Sequence, residues 1–423
     1  MKRPERKSPA NTSKESKRLL DLAEEASGAT SRIERDFWIA QIETVATDLL
    51  DAGKDSAIES ALEKSFNSSP DAHDLLSEAA EAAGETCFFH LNGIHYTALL
   101  ISVPMVAWSK YPIASGSLKA SEIAPIAKHL QDIILAEGSQ FIMLPFLYSM
   151  DHLPQSFSET RELLKFLADA VMNDDKLPSL PKEDETIDMP ADIRMLVGAV
   201  IAPYGKPMFR WQTSFATLAA PTTKAATKPA TKVSTKTSPT KAKSETASSR
   251  ATCLVSWADV ATAKLAKLIP GAEFELGLPD AYFSNLRQSD IRVRPRMITG
   301  AVEHLELALK RDASEMHAII ASVGEMEIDE YRIGFALKNS ATIVNGTIWP
   351  LIAAEDDEQS PSPREQIEAL LKAANIGKIT KLPGVLPPEY CEDCGAPLFY
   401  DAEGEAVHPH MPDDSNFSPA HYH

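Results

Sequence analysis

A chain of 423 residues with a formal charge of −18 is too long for one ordinary domain, and its acidity argues against general affinity for nucleic acid or anionic membranes. Its four cysteines (Cys87, Cys253, Cys391, Cys394) are too few for a disulfide framework, and no apolar leader follows the basic N-terminal residues, so a cytoplasmic chain with free thiols is expected. The longest apolar run, 96–108, carries Pro104 and falls short of the roughly 20 residues a membrane span needs, so no membrane association is expected.

Residues 1–13 are polar and basic and predict disorder. Residues 14–84 predict a helical segment, a small bundle or an N-terminal cap on the next domain. Ile33, Phe37, Trp38, Ile42, Val45 and Leu49 trace one helical face, and Ile58, Leu62 and Phe66 a second. Leu75, Leu76, Ala79 and Ala83 trace a third, with Gly84 placed to close it as a left-handed cap.

From 85 to 218 the pattern changes to a first α/β half. Strands are predicted over 96–103, 141–148, 196–202 and 208–212, and helices over 121–136 and 156–172. His90 and His95 flank Asn92-Gly93, a hairpin turn signal. Asp151 and His152 follow a strand and lead into a helix whose Ser156 and Glu159 have capping-box spacing; the cap accounts for them, with a ligand site as the less economical reading.

Residues 219–251 form a Lys/Thr/Pro-rich linker with seven basic residues and one acidic. Lacking large apolar side chains, it predicts a solvated, disordered tether, with weak salt-sensitive contact to nucleic acid as its one functional reading. A second α/β half follows over 252–361. Pro104 and Trp108 in the first half match Pro279 and Phe283 in the second, while Gly198 and Trp211 match Gly334 and Trp349. This spacing suggests an internal duplication, with a cleft between the halves as the default binding site. Arg292, Arg294 and Arg296 alternate, so on an extended segment they would share one face and either grip an anion or form surface salt bridges. The fold class expected is α+β or α/β.

The tail, 362–423, predicts a helix over 366–374, a strand over 378–382, and then the sharpest chemical signal in the chain. Cys391 and Cys394 stand at C-x-x-C spacing, Gly395 lets backbone amides approach the sulfurs, and His408 and His410 follow at strand spacing. Two thiolates with one or two imidazoles suit tetrahedral zinc. A knuckle without metal and a redox dithiol are the other readings, the last lacking the helix N-terminus such chemistry usually needs. His421 and His423 add to a cluster of four of the eleven histidines at this end. Cys87 and Cys253 adjoin apolar residues and predict burial. Phosphate-binding glycine loops, the serine nucleophile elbow, the H-E-x-x-H zinc motif and the zinc deaminase pattern are all absent from the sequence.

The stretches "LPDAYFSNLRQSD", "EYRIGFA", "WPLIAAED" and "YCEDCGAPLF…EGEAVH…MP" resemble an uncharacterised family of cytoplasmic beta-proteobacterial proteins known only as a domain of unknown function. The resemblance implies a shared architecture that includes the Cys/His block, and implies no activity. Function is therefore expected from the residues alone. The first expectation is a non-enzymatic binding or regulatory protein whose zinc-stapled loop (Cys391, Cys394, His408, His410) presents a surface to a protein partner. The alternative is a metal-dependent hydrolase or transferase with Glu405 or Asp401 as base. A third is nucleic-acid association through the linker.

Overall fold

The computed structural model describes residues 13–109, 113, 115–173, 191–213, 249–325, 327–352, 355 and 361–411. The expected disordered terminus and linker therefore lie, almost whole, outside the described residues.

Four helices open the chain: α1 (Lys14–Gly28), α2 (Arg32–Asp51), α3 (Asp55–Ser68) and α4 (Pro70–Glu85). Ser13, Ser31 and Ser69 each accept a backbone N–H at a helix start, so serine side chains set three of the four boundaries. Leu19, Ile42, Leu49, Ile58, Leu76 and Ala80 form the shared core, while Ile33 and Phe37, expected on a buried face, stand exposed. Gly84 also departs from expectation. The helix runs through it, and a Cβ there would sit 3.2 Å from the Phe283 ring. Close packing against a distant helix, not handedness, selects this glycine.

The first sheet runs in the order β1 (Thr86–Leu91), β2 (Ile94–Trp108), β6 (Ala191–Pro203), β4 (Gln140–Met143), all antiparallel. Asn92 and Gly93, at φ of 49° and 80°, turn β1 into β2 as the hairpin signal predicts. Two short strands, β3 (Gly116–Ser117) and β5 (Phe146–Leu147), pair beside it. Alternation divides β2 and β6 between two cores. Ile101, Val103, Met105, Leu196 and Val200 face α5 (Ala120–Ile133) and α7 (Arg250–Leu265). Leu100, Met195, Val197 and Ala199 face α6 (Phe157–Asn173) and the start of α8 (Tyr282–Leu309). Residues 250–281, after the linker, thus complete the first sheet: α7 supplies Trp257 to its core, and β7 (Glu273–Leu276) and β8 (Asp280–Ala281) pair with β2.

The predicted strand at 208–212 is instead a single bridge, Leu135 to Phe209, followed by a helical turn. The Gln212 side chain accepts the backbone N–H groups of Met208 and Phe209, which turns the chain away from a ladder.

Helix α8 is 28 residues long, about 42 Å. Its first turns pack under the first sheet, and Ile298, Ala301, Val302 and Leu305 pack on the second. Arg292, Arg294 and Arg296 lie on this helix rather than on an extended segment. Arg294 forms a bidentate pair with Glu355 at 2.7 and 3.0 Å and lies over Trp349, while Arg296 lies 4.1 Å above the Trp108 ring. Both are structural cations that tie α8 to the two sheets.

The second sheet has the order β11 (Ile343–Pro350), β10 (Glu330–Leu337), β9 (Met316–Val323), β12 (Lys378–Leu386), with β12 parallel to β9 after the crossover through α9 (Pro363–Ala373). Architecture is thus mixed α+β. Of the repeat landmarks, Gly198 and Gly334 both lie in inner strands, β6 and β10. Trp108 ends a strand whereas Phe283 lies in α8, and Trp211 sits in a helical turn whereas Trp349 lies in β11. Only the glycine landmarks occupy like elements.

Candidate metal centre

The chain leaves β12, crosses the second sheet and forms a loop and a small hairpin, β13 (Phe399–Tyr400) with β14 (Ala406–Val407). Tyr390 bridges Pro397, Cys391 N–H donates to Ala396 O at 2.8 Å, and Gly395 N–H donates to Cys391 O at 2.8 Å. Gly395 has φ of 75°, the left-handed residue this tight turn needs. Backbone N–H groups of Cys394 and then Asp393 point at the Cys391 sulfur and hold its thiol below the ordinary range. Burial has the opposite effect on Cys87, whose thiol is pushed up to about 11, and on Cys253, which is also raised. The buried cysteines and Cys391 are therefore chemically distinct: two inert core thiols and one activated thiol in the loop.

His408 follows β14 and returns to the loop, with Nε2 3.4 Å from Cys394 Sγ. Its Nδ1 lies 2.9 Å from Pro409 O, and only a protonated Nδ1 can donate to a carbonyl. That tautomer leaves the Nε2 lone pair facing the sulfurs, the arrangement in which an outer carbonyl orients a ligating imidazole. Ligand atoms of Cys391, Cys394 and His408 all lie within 4.8 Å of one another. Cys391 is half-buried; Cys394 and His408 are exposed.

His410, expected beside His408, is outside this group. Its backbone N–H donates to Ile343 O at 2.9 Å, so it pins the segment after β14 to the edge of the second sheet. His421 and His423 lie outside the described residues. Asp401, a candidate base by sequence, is engaged in the turn between β13 and β14: its Oδ1 accepts Glu403 N–H at 3.0 Å and Glu405 N–H at 2.9 Å. A carboxylate so occupied is a turn cap.

The residues that brace the centre carry no motif of their own. Arg332, in β10, is 0% exposed. Its Nη1 donates to Glu389 O and Leu398 O, both at 2.6 Å, on either side of the cysteine loop. Its Nε donates to Glu330 at 2.7 Å, and the guanidinium lies 5.0 Å from the Tyr390 ring centre. Phe399 packs into the space left by Gly346, where a Cβ would fall 2.4 Å from its ring. Tyr400 donates its hydroxyl to Pro387 O. The only sequence signal for Arg332 is a lone cation inside an apolar strand, which burial makes costly without partners.

A family model described as a protein of unknown function (DUF2863) matches residues 4–422. The chain belongs to that family. The match takes in both sheets, the helical segment and the cysteine loop of this DUF2863 member. Neither a curated protein nor a solved structure matches it. Among the described residues, no helix is long and apolar enough to cross a membrane.

Proposed function

We propose that this DUF2863 member is a non-enzymatic binding or regulatory protein whose C-terminal lobe is stapled by zinc. The observation that carries this reading is the convergence of Cys391, Cys394 and the Nε2 of His408 within 4.8 Å. Amides behind one sulfur and a carbonyl behind the imidazole support it further, since both prepare the ligands for a cation. Two sulfurs and one nitrogen suit zinc over calcium or magnesium, which prefer oxygen. His410, or a histidine of the tail, is the proposed fourth ligand. A closed set of four makes the metal structural, and the surface it fixes, around Glu392, Asp393 and Tyr390, is where a protein partner would dock.

The test is elemental analysis of the purified chain beside Cys391→Ser/Cys394→Ser. About one zinc per chain, lost in the variant, is expected. Zinc retained in the variant, or absent from both, refutes the assignment. His410→Ala separates closed from open coordination: weakened affinity marks it as the fourth ligand.

A second reading, metal-dependent hydrolysis, draws on the three-ligand count, since catalytic zinc keeps one position for water. Of the two candidate bases, Asp401 is engaged in its turn, which favours Glu405. Hydrolysis that persists in Glu405→Gln would dismiss that role.

A further inference from the structure

A second pair of metal-ligating side chains stands far along the chain from the cysteine loop. His90 and His95 are directly opposite on the β1–β2 hairpin, one pair in from the Leu91–Ile94 closing pair. In a two-residue hairpin this is a non-hydrogen-bonded position, where opposed side chains approach most closely. The outward direction of the His95 backbone agrees: its carbonyl accepts Tyr204 N–H at 2.8 Å, away from β1. The two ring centres are 4.7 Å apart with planes inclined at 52°. Both residues are exposed, and neither imidazole makes a hydrogen bond to another described residue.

The hairpin holds this pair in place. Its turn has both central residues at positive φ, the twist that matches paired strands. Phe89 stacks on Tyr96 at 5.5 Å on the opposite face, and Tyr204 fixes β2 from the other side. Bringing two imidazoles together is the entropic part of chelation, and the folded hairpin has already done it.

We propose that His90 and His95 form a two-histidine chelate for a borderline transition-metal cation, copper(II), nickel(II) or zinc. Imidazole nitrogen favours these ions over magnesium and calcium, and the remaining positions of the ion are open to water. The overall charge of −18 favours approach of a cation. The proposal is independent of the C-terminal centre, with which it shares no residue.

The test uses the full chain carrying Cys391→Ser/Cys394→Ser, titrated calorimetrically with copper, nickel or zinc chloride, and the same chain with His90→Ala, His95→Ala or both. The expected result is one site per chain that each single substitution weakens by about a hundredfold, the loss of a bidentate advantage. Affinity should follow copper over nickel and copper over zinc, with no magnesium binding. Single variants that bind as well as the parent would overturn the chelate and leave a monodentate surface histidine. An unchanged site in the double variant would place the ion elsewhere, also overturning it. Retention of zinc by His90→Ala/His95→Ala with intact cysteines, measured in parallel, reports on the C-terminal centre alone.

Discussion

The two sheets differ in what covers them. The first is buried on both faces by helices, with α5 and α7 on one side and α6 and the start of α8 on the other. Among the described residues, the second has α8 and α9 on one face, and the other is closed by Phe399, Tyr400 and a few half-buried neighbours of the C-terminal hairpin. A helix brings its own hydrogen bonds and a stripe of apolar side chains. A hairpin of two-residue strands brings neither in quantity, and so small a cover needs a further tie. Arg332 from beneath and the Cys391–Cys394–His408 group from above are placed to supply it.

Removing the candidate metal ligands sharpens the contrast most. In Cys391→Ser/Cys394→Ser, or in wild type with chelator, hydrogen exchange of residues 387–411 should rise to that of open loops while β2 and β6 stay protected. Equal loss in both sheets would refute a local staple.

Next in size is Arg332→Ala. It strands the Leu398 carbonyl and the Glu330 carboxylate, leaves Glu389 O with only the Leu398 N–H, and should lower stability by about 3–5 kcal/mol. Chemical denaturation measures this, and a loss below about 1 kcal/mol would show that the guanidinium does not brace the loop.

Gly346→Ala comes third, since its new methyl would meet the Phe399 ring at 2.4 Å. Overpacking predicts a loss of about 1–3 kcal/mol, together with faster exchange in β13. Pairing it with Phe399→Leu should recover part of the loss, and a cycle with no coupling would argue against that contact.

The last effect, read as a pH dependence, lies beside the first sheet. Glu85 accepts Phe283 N–H at 2.9 Å and, mainly through burial, has its carboxyl raised to about 7. A folded-state value above the unfolded one means that the native state holds the proton more tightly. This contribution is therefore complete below about pH 4.5 and is lost as pH rises through about 7. Glu85→Gln keeps an acceptor for Phe283 and removes the titration, so the slope of stability between about pH 5 and 7 should flatten. An unchanged slope would assign the pH dependence to other groups.

Much of the first sheet was legible because its signals are local. The Asn92-Gly93 turn, the cap at Ser156 and the apolar runs of β2 and β6 act within a few residues, and each lies where the pattern places it. The failures share a cause. Arg292, Arg294 and Arg296 alternate in sequence, which suits an extended segment, yet the apolar residues of α8 face two cores at once and tertiary burial prevailed over local preference. Gly84 carried a helix-end signal, but the Phe283 ring decided its role.

The same division holds at the candidate metal centre. Sequence alone determined that two thiolates could share an ion, because a C-x-x-C turn is a local object and Gly395 supplies its geometry. Only the tertiary structure shows which histidine already stands beside the sulfurs. The β13–β14 hairpin returns His408 to the sulfurs, while the pairing of His410 with Ile343 carries the chain along the sheet edge. Arg332 was hidden for the same reason. Its partners, the carbonyls of Glu389 and Leu398, lie 57 and 66 residues away, and backbone acceptors carry no residue type by which a pattern could find them.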